Sequence, residues 1–292
     1  MTNDIVALPA GGGCYACYLT AQGRMISDMW LFELGDVLLM TLPGTTRETV
    51  LARLDQFIFS EDVQLGDVTD TFASVAVGGP DAARVLAHII DGVGADQLAA
   101  MAEGGNARAS FRGEPAIVLR VGDLGVPGFE LLVAADRFND AVTALRAGGA
   151  VELSDEAAEA LRVEGGVPRF HQDMDETTIP LEAGLEKRAI SQSKGCYVGQ
   201  EVIIRVLHRG HGRVAKRLVG LAVEGAAPAG GHVPSQGLAH QEVAFEVDGD
   251  DGVPVGNAFE LHVIPHGLES ACHEICGWNC RHVRARREEA LT

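Results

Sequence analysis

A single cysteine, Cys196, stands in K-G-C-Y-V-G-Q-E over Lys194–Glu201, bracketed by Gly195 and Gly199. Glycines so placed permit a sharp turn and a close approach of backbone to a ligand. Lys194 precedes the cysteine, and Arg205, His208, Arg209, His211, Arg213, Lys216 and Arg217 follow it. All three lysines of the chain, Lys187, Lys194 and Lys216, fall in or beside this stretch. A cationic setting favours thiolate over thiol, which suits Cys196 to the work of a nucleophile, a redox group or a metal ligand. The plainer alternative is a small buried hydrophobe, the commoner fate of a lone cysteine, with the basic run a solvated edge.

A second chemical signal is Asp28, set inside the otherwise apolar MISDMWLF. An unpaired carboxylate there is costly, so a partner or a ligand is expected. Trp30 and Met29 beside it are expected in the core. Cys14 and Cys17 form C-x-x-C, a weak metal signal without a second half. The tail supplies Cys272, His273, Cys276, Cys280 and His282, with thiols spaced for one helix face, but no metal site is expected.

These groups need elements to hold them. CYACYLTAQGRMISDMWLFELGDVLLMTLP reads as two or three strands, with LTAQGR as a turn. Val50, Leu51, Leu54 and Phe57 have helical spacing, with Thr45 or Thr46 as cap. FASVAVGG is a strand, and PDAARVLAHII a helix opened by Pro80. PAIVLRVGDLGVPGFELLVAA is a strand pair, DRFNDAVTALRAGG a helix closed by Gly148 and Gly149, and SDEAAEALRVEGG a helix capped by Ser154. EVIIRVL, rich in β-branched residues, is predicted as a strand, and HRGHGR as the turn after it. Two strand–strand–helix units of similar size suggest a repeated module. The fold class is α+β, with an α+β region over residues 1–214 and a β-rich region over 215–292.

The chain has 292 residues, is 47% hydrophobic and carries a formal charge of −18. It can bury a sizeable core, so a folded chain rather than a disordered one is expected. The acidity argues against a general nucleic-acid binder. No apolar run reaches the ~18 residues of a membrane span, and the first residues lack the pattern of a secretory signal; a cytoplasmic protein without a membrane partner is expected. Six cysteines in this length make no disulfide framework.

K-G-C-Y-V-G-Q-E resembles the signature of the YgfZ-type folate-binding proteins, relatives of the glycine-cleavage T protein (aminomethyltransferase). LTAQGRMISDM (19–29), GFELLV (128–133), LRVEGGVPRF (161–170) and IPLEAGLEKRAIS (179–191) resemble family segments in the expected order. The resemblance spans roughly residues 2 to 220. It implies T-protein-like folate-binding modules followed by a small C-terminal β-barrel. It also implies tetrahydrofolate as cofactor and a role in iron–sulfur cluster assembly or repair, with assembly factors or client proteins as partners. The cysteine octapeptide separates this branch from true aminomethyltransferases, which stay the alternative.

On that resemblance Glu130 matches the glutamate that binds the amino-pyrimidine edge of the pterin. Two N–H groups facing one carboxylate make a strong, charge-assisted pair. Arg162 matches an arginine of the T-protein site, where it would hold an anionic part of folate or pair with Glu130. Asp28 matches the aspartate near the reactive folate nitrogen. Lys194 and Tyr197 join the cofactor-binding set, and Cys196 with Asp28 forms the chemically active pair. The basic run would favour the thiolate or meet the anionic folate tail. The MTND start matches an internal point of the family pattern, so an opening strand pair and helix are expected to be missing. The Cys/His-rich end departs from the family's barrel strands, as an altered reading frame or a divergent end would.

Overall fold

The computed structural model describes residues 1–60, 62–209, 213–214 and 216–218, and the backbone of 259–263. The tail cysteines and histidines, the expected barrel and the atypical end all lie outside the described side chains.

The chain opens with an antiparallel meander: β1 (Gly13–Leu19), β2 (Met25–Glu33) and β3 (Leu38–Thr41). The turn expected at LTAQGR joins β1 to β2, with Gly23 at φ +73°, and the register sets Tyr15 opposite Trp30 and Cys17 opposite Asp28. A 3-10 turn leads into α1 (Arg47–Asp55). Thr46 occupies the N-cap position without capping: its hydroxyl bonds Ser27 Oγ at 2.7 Å and donates to Pro43 O at 3.0 Å. That ties the helix start to β2, where a hydroxyl inside the strand needs a partner.

The second sheet has the order β5-β6-β7-β4-β9-β8. Its strands are β4 (Phe72–Gly78), β5 (Asn106–Phe111), β6 (Glu114–Val121), β7 (Gly128–Ala134), β8 (Ala150–Glu152) and β9 (Phe259–Val263), the last as backbone alone. Between β4 and β5 lie α2 (Ala82–Ile89) and α3 (Ala95–Ala100), and α4 (Phe138–Ala147) follows β7. Pro80 lies just ahead of α2 rather than in its first turn. Where two strand–strand–helix units are expected, three strands precede each helix, in β1–β2–β3–α1 and β5–β6–β7–α4, and the two units lie in separate sheets.

Alternation along the strands of the second sheet sorts its side chains into two layers. Val75, Val118, Leu131 and Val133 face α2 and α4, together with Leu86 and Leu145. Ile117, Leu119, Val121 and Leu132 face the other way and meet Tyr15, Cys17, Trp30 and Phe32 of the first sheet. The far face of the first sheet is covered by α1 through Val50. Thr2 is fully buried along the free edge of β1, donating its hydroxyl to Ala189 O at 2.6 Å and accepting from the Cys17 amide at 2.8 Å.

After β8, Ser154 caps α5 (Asp155–Glu164) by accepting from the Ala157 amide. The chain then runs through a 3-10 turn (Pro180–Ala183) and α6 (Glu186–Ala189) to the cysteine loop. EVIIRVL is not a strand: Gln200–Ile204 forms α7, and Arg205–Arg209 continues as a π-turn. Gly199, at φ +86°, reverses the chain just before it, and an added Cβ would stand 2.5 Å from Thr20 O. Ile203 is fully buried, and Val206 and Leu207 pack against the inter-sheet cluster. That i, i+3, i+4 spacing is helical, and tertiary burial overrides the β-propensity of the run.

Candidate functional site between the two sheets

Asp28 projects from β2 into the layer between the sheets and is 7% exposed. The Tyr15 hydroxyl donates to its Oδ2 at 2.5 Å. Its Oδ1 is buried without a hydrogen-bond partner among the described residues. Burial pushes the Asp28 carboxyl above the usual carboxylate range, the Tyr15 hydrogen bond opposes this, and the charge of Asp123 adds to it. Burial, with Asp28 alongside, drives the Tyr15 phenol well above its ordinary value. The phenol proton of Tyr15 thus lies in a hydrogen bond between two buried oxygens.

Glu130 lies on β7 opposite Ala76 and Leu119. Alternation with Leu131 and Leu132 turns it toward the first sheet, the side on which Asp28 lies. It lines a cleft of about 50 Å³ with Val121, Asp123, Phe129 and Arg169 among its neighbours. Part of the side chain meets the cleft, yet the protein crowded around its carboxyl pushes it up to about 7, with Asp123 adding repulsion. Near neutrality such a group can give or take a proton, which marks it as a functional candidate.

The aromatic wall of the layer is Tyr15, Trp30 and Phe32. Tyr15 and Trp30 meet edge-on with centroids 5.4 Å apart, and Trp30 stacks on Phe32 at 5.8 Å. Arg188 of α6 lies over both rings, its guanidinium carbon 4.6 Å from the Tyr15 centroid and 4.9 Å from that of Trp30. Its Nη2 donates to Asp123 Oδ1 at 3.0 Å and to Glu103 Oε1 at 2.9 Å. Asp123 Oδ2 accepts the Trp30 indole N–H at 3.0 Å.

Two expected site residues, Arg162 and Lys194, stand apart from this layer, and a third, Tyr197, packs against it. Arg162 is neither on a helix surface nor paired with Glu130. It is 2% exposed, and its guanidinium donates to Glu159, to Asp173 Oδ2 at 2.7 Å, to Val167 O and to Gln172 Oε1 at 3.4 Å. All five donors of the group are engaged in this corner, which ties α5 to the loop after it. Lys194 donates to Met1 O at 2.9 Å and Asn3 O at 2.8 Å, with its ammonium 5.6 Å from the Tyr197 ring centroid. Tyr197 packs against the inter-sheet cluster, and burial followed by Cys17 pushes its phenol up to about 12.

Cys196 is exposed, on the outer side of a loop whose Lys194 and Tyr197 turn inward. The basic residues after it are solvated: Arg205, His208, Arg209, Arg213, Lys216 and Arg217 are exposed, and Arg205 pairs with Glu201 at 2.5 Å. Val198, within the loop, lines a separate groove of about 320 Å³ with Tyr18, Arg53, Gln56 and Phe57. Cys14 and Cys17 point to opposite faces of β1, into different clusters, so the C-x-x-C cannot close on one metal. Burial pushes both thiols up. Among the described residues no group of three or more His, Cys, Asp or Glu is arranged to hold a metal ion, and no helix is long and apolar enough to cross a membrane.

Sequence reasoning missed Tyr15, Asp123 and Arg188 as members of the site. Tyr15 was within reach, because counting back from the LTAQGR turn sets it opposite Trp30. Asp123, in a turn, and Arg188, in a short helix, carry no local signal of where they point.

The family described as "GCVT N-terminal domain" matches residues 1–194. An aminomethyltransferase of Corynebacterium jeikeium is 30% identical over 243 residues, covering 77% of this chain and 61% of that protein. One of Rubrobacter xylanophilus is 29% identical over 225 residues, covering 77% and 59%. The chain thus spans about three fifths of the length of these two relatives. The crystal structure of glycine cleavage system aminomethyltransferase T from Bartonella henselae superposes with a TM-score of 0.57 at 19% identity, over 75% of this chain and 58% of that one. At that identity the likeness is one of fold.

Proposed function

The chain belongs to the GCVT N-terminal domain family, and on that premise we propose that it binds tetrahydrofolate between its two sheets and supports iron–sulfur cluster assembly or repair. The observation that carries the folate half is the buried Oδ1 of Asp28, without a partner among the described residues, in the same layer as Glu130. A buried carboxylate oxygen without a donor is costly, and a ligand N–H would satisfy it. The group fits the residues present. Glu130 can accept two N–H bonds from an amino-pyrimidine edge, and Tyr15 and Trp30, covered by Arg188, form the aromatic wall of the same layer. Bound tetrahydrofolate would supply the carrier for a one-carbon unit. The chain's own part would be to exclude water, hold the ring and set the Asp28 carboxyl beside it.

The accessory role rests on the K-G-C-Y-V-G-Q-E signature and the exposed thiol of Cys196, which is open to a protein partner. Replacing Cys196 by Ala in cells should abolish support of cluster enzymes while tetrahydrofolate binding persists. Unchanged cluster-enzyme activity in that strain sinks the role.

A second reading, aminomethyl transfer in glycine cleavage, is favoured by the names of the relatives and by Asp28. Formation of methylenetetrahydrofolate from an aminomethyl-lipoyl carrier by the purified chain would decide for it.

A further inference from the structure

We infer that Asp123, gripped between the Trp30 indole and the Arg188 guanidinium, is a positioning residue that fixes the aromatic wall of the first sheet against the Glu130-bearing strand of the second. It sits in the turn between β6 and β7, and its two oxygens serve two elements. Oδ2 takes the indole N–H of Trp30, at 3.0 Å, and Oδ1 takes Arg188 of α6, also at 3.0 Å.

Trp30 is 6% exposed, and a buried indole N–H seeks an acceptor; Asp123 provides it and so selects the ring's orientation. The Trp30 edge in turn meets Tyr15, whose hydroxyl ends on Asp28. A single carboxylate thereby sets the geometry at both ends of the site. Its charge reaches the same groups, raising Asp28 and Glu130 alike, whereas Arg188 lowers Asp28. The other charged groups facing it are Glu103, which shares Arg188, and Arg169 across the cleft.

The inference rests on the folate-site reading only for its consequence in binding, so the deciding measurement is made on the full chain without ligand. Side-chain NMR would follow the titration of Asp28 and Glu130 and the Trp30 indole N–H resonance, assigned with a Trp30→Phe variant. In Asp123→Asn the Glu130 midpoint should fall by about one pH unit, the size of a nearby unit charge in a partly wet site. The Asp28 midpoint should fall with it, and the indole resonance should move. Arg188→Met leaves Asp123 in place and should move the Asp28 midpoint the opposite way, upward. Unchanged midpoints and an unmoved indole resonance in Asp123→Asn, with an unchanged melt, overturn the inference. So does an Asp28 midpoint that moves the same way in both variants. Should the parent bind no tetrahydrofolate while these shifts appear, the positioning role stands and the folate reading falls.

Discussion

The Tyr15 hydroxyl sits 2.5 Å from Asp28 Oδ2, while the other oxygen of Asp28 is buried with no hydrogen-bond partner among the described residues. Half of this carboxylate is therefore satisfied by the fold and half is left open. Tyr15→Phe removes the satisfied half. It should destabilise the protein by about 1–3 kcal/mol, the cost of an unpaired buried polar group, as read by urea unfolding above pH 7. Asp28→Asn in the Tyr15→Phe background should recover part of that loss, because the charge that lost its donor is gone. Equal stability of Tyr15→Phe and the parent would show that the hydrogen bond carries no weight.

Glu130 makes stability depend on pH with a definite sign. Its carboxyl is raised to about 7 by burial, so between its unfolded value near 4.5 and about 7 the folded state holds more protons than the unfolded one. Stability then falls as pH rises through that window. Glu130→Gln removes the dependence. Its melting temperature should exceed the parent's at pH 8, by the equivalent of about 1–2 kcal/mol, and converge with it near pH 4.5. A difference that stays constant across that range contradicts the assignment.

Arg162 sits in a cage of carboxylates and carbonyls with little exposure. Arg162→Met takes the Arg162 cation from the largely buried side chain of Asp173, a change of the kind that costs about 3–5 kcal/mol. The loss should appear in thermal melts without ligand. A variant that melts like the parent but fails to bind tetrahydrofolate would instead return Arg162 to the ligand.

Cys196 is exposed and Cys17 is buried with its thiol pushed up. Brief alkylation of the native protein followed by peptide mass mapping should label Cys196 and spare Cys17, because only an accessible thiolate reacts quickly. Cys196→Ser should change stability by no more than about 0.5 kcal/mol, as for other surface positions. Labelling of Cys17 at the same rate would mean that the inter-sheet layer opens readily.

Much of this was legible in the sequence where the signal is local. The LTAQGR turn, the Ser154 cap and the strand pair that carries Glu130 follow from turn chemistry and periodicity, and Asp28 announced itself as a carboxylate among apolar neighbours. Legibility stopped where tertiary contacts decide. EVIIRVL has the composition of a strand, yet Gly199 turns it so that Ile203, Val206 and Leu207 share one helical face. Lys194 looked like the cation of Cys196, but its ammonium is held by the carbonyls of Met1 and Asn3, a contact across the whole length of the domain. Asp123 and Arg188 meet only because α6 docks on the first sheet, and nothing in either segment reports that docking.

The central claim is a folate site between Asp28 and Glu130, and calorimetric titration of tetrahydrofolate into the purified chain, beside Glu130→Ala, tests it most directly. Saturable one-to-one binding by the parent, weakened at least tenfold in the variant, is the predicted result. Absence of binding in the parent, or the same affinity in both proteins, would contradict it.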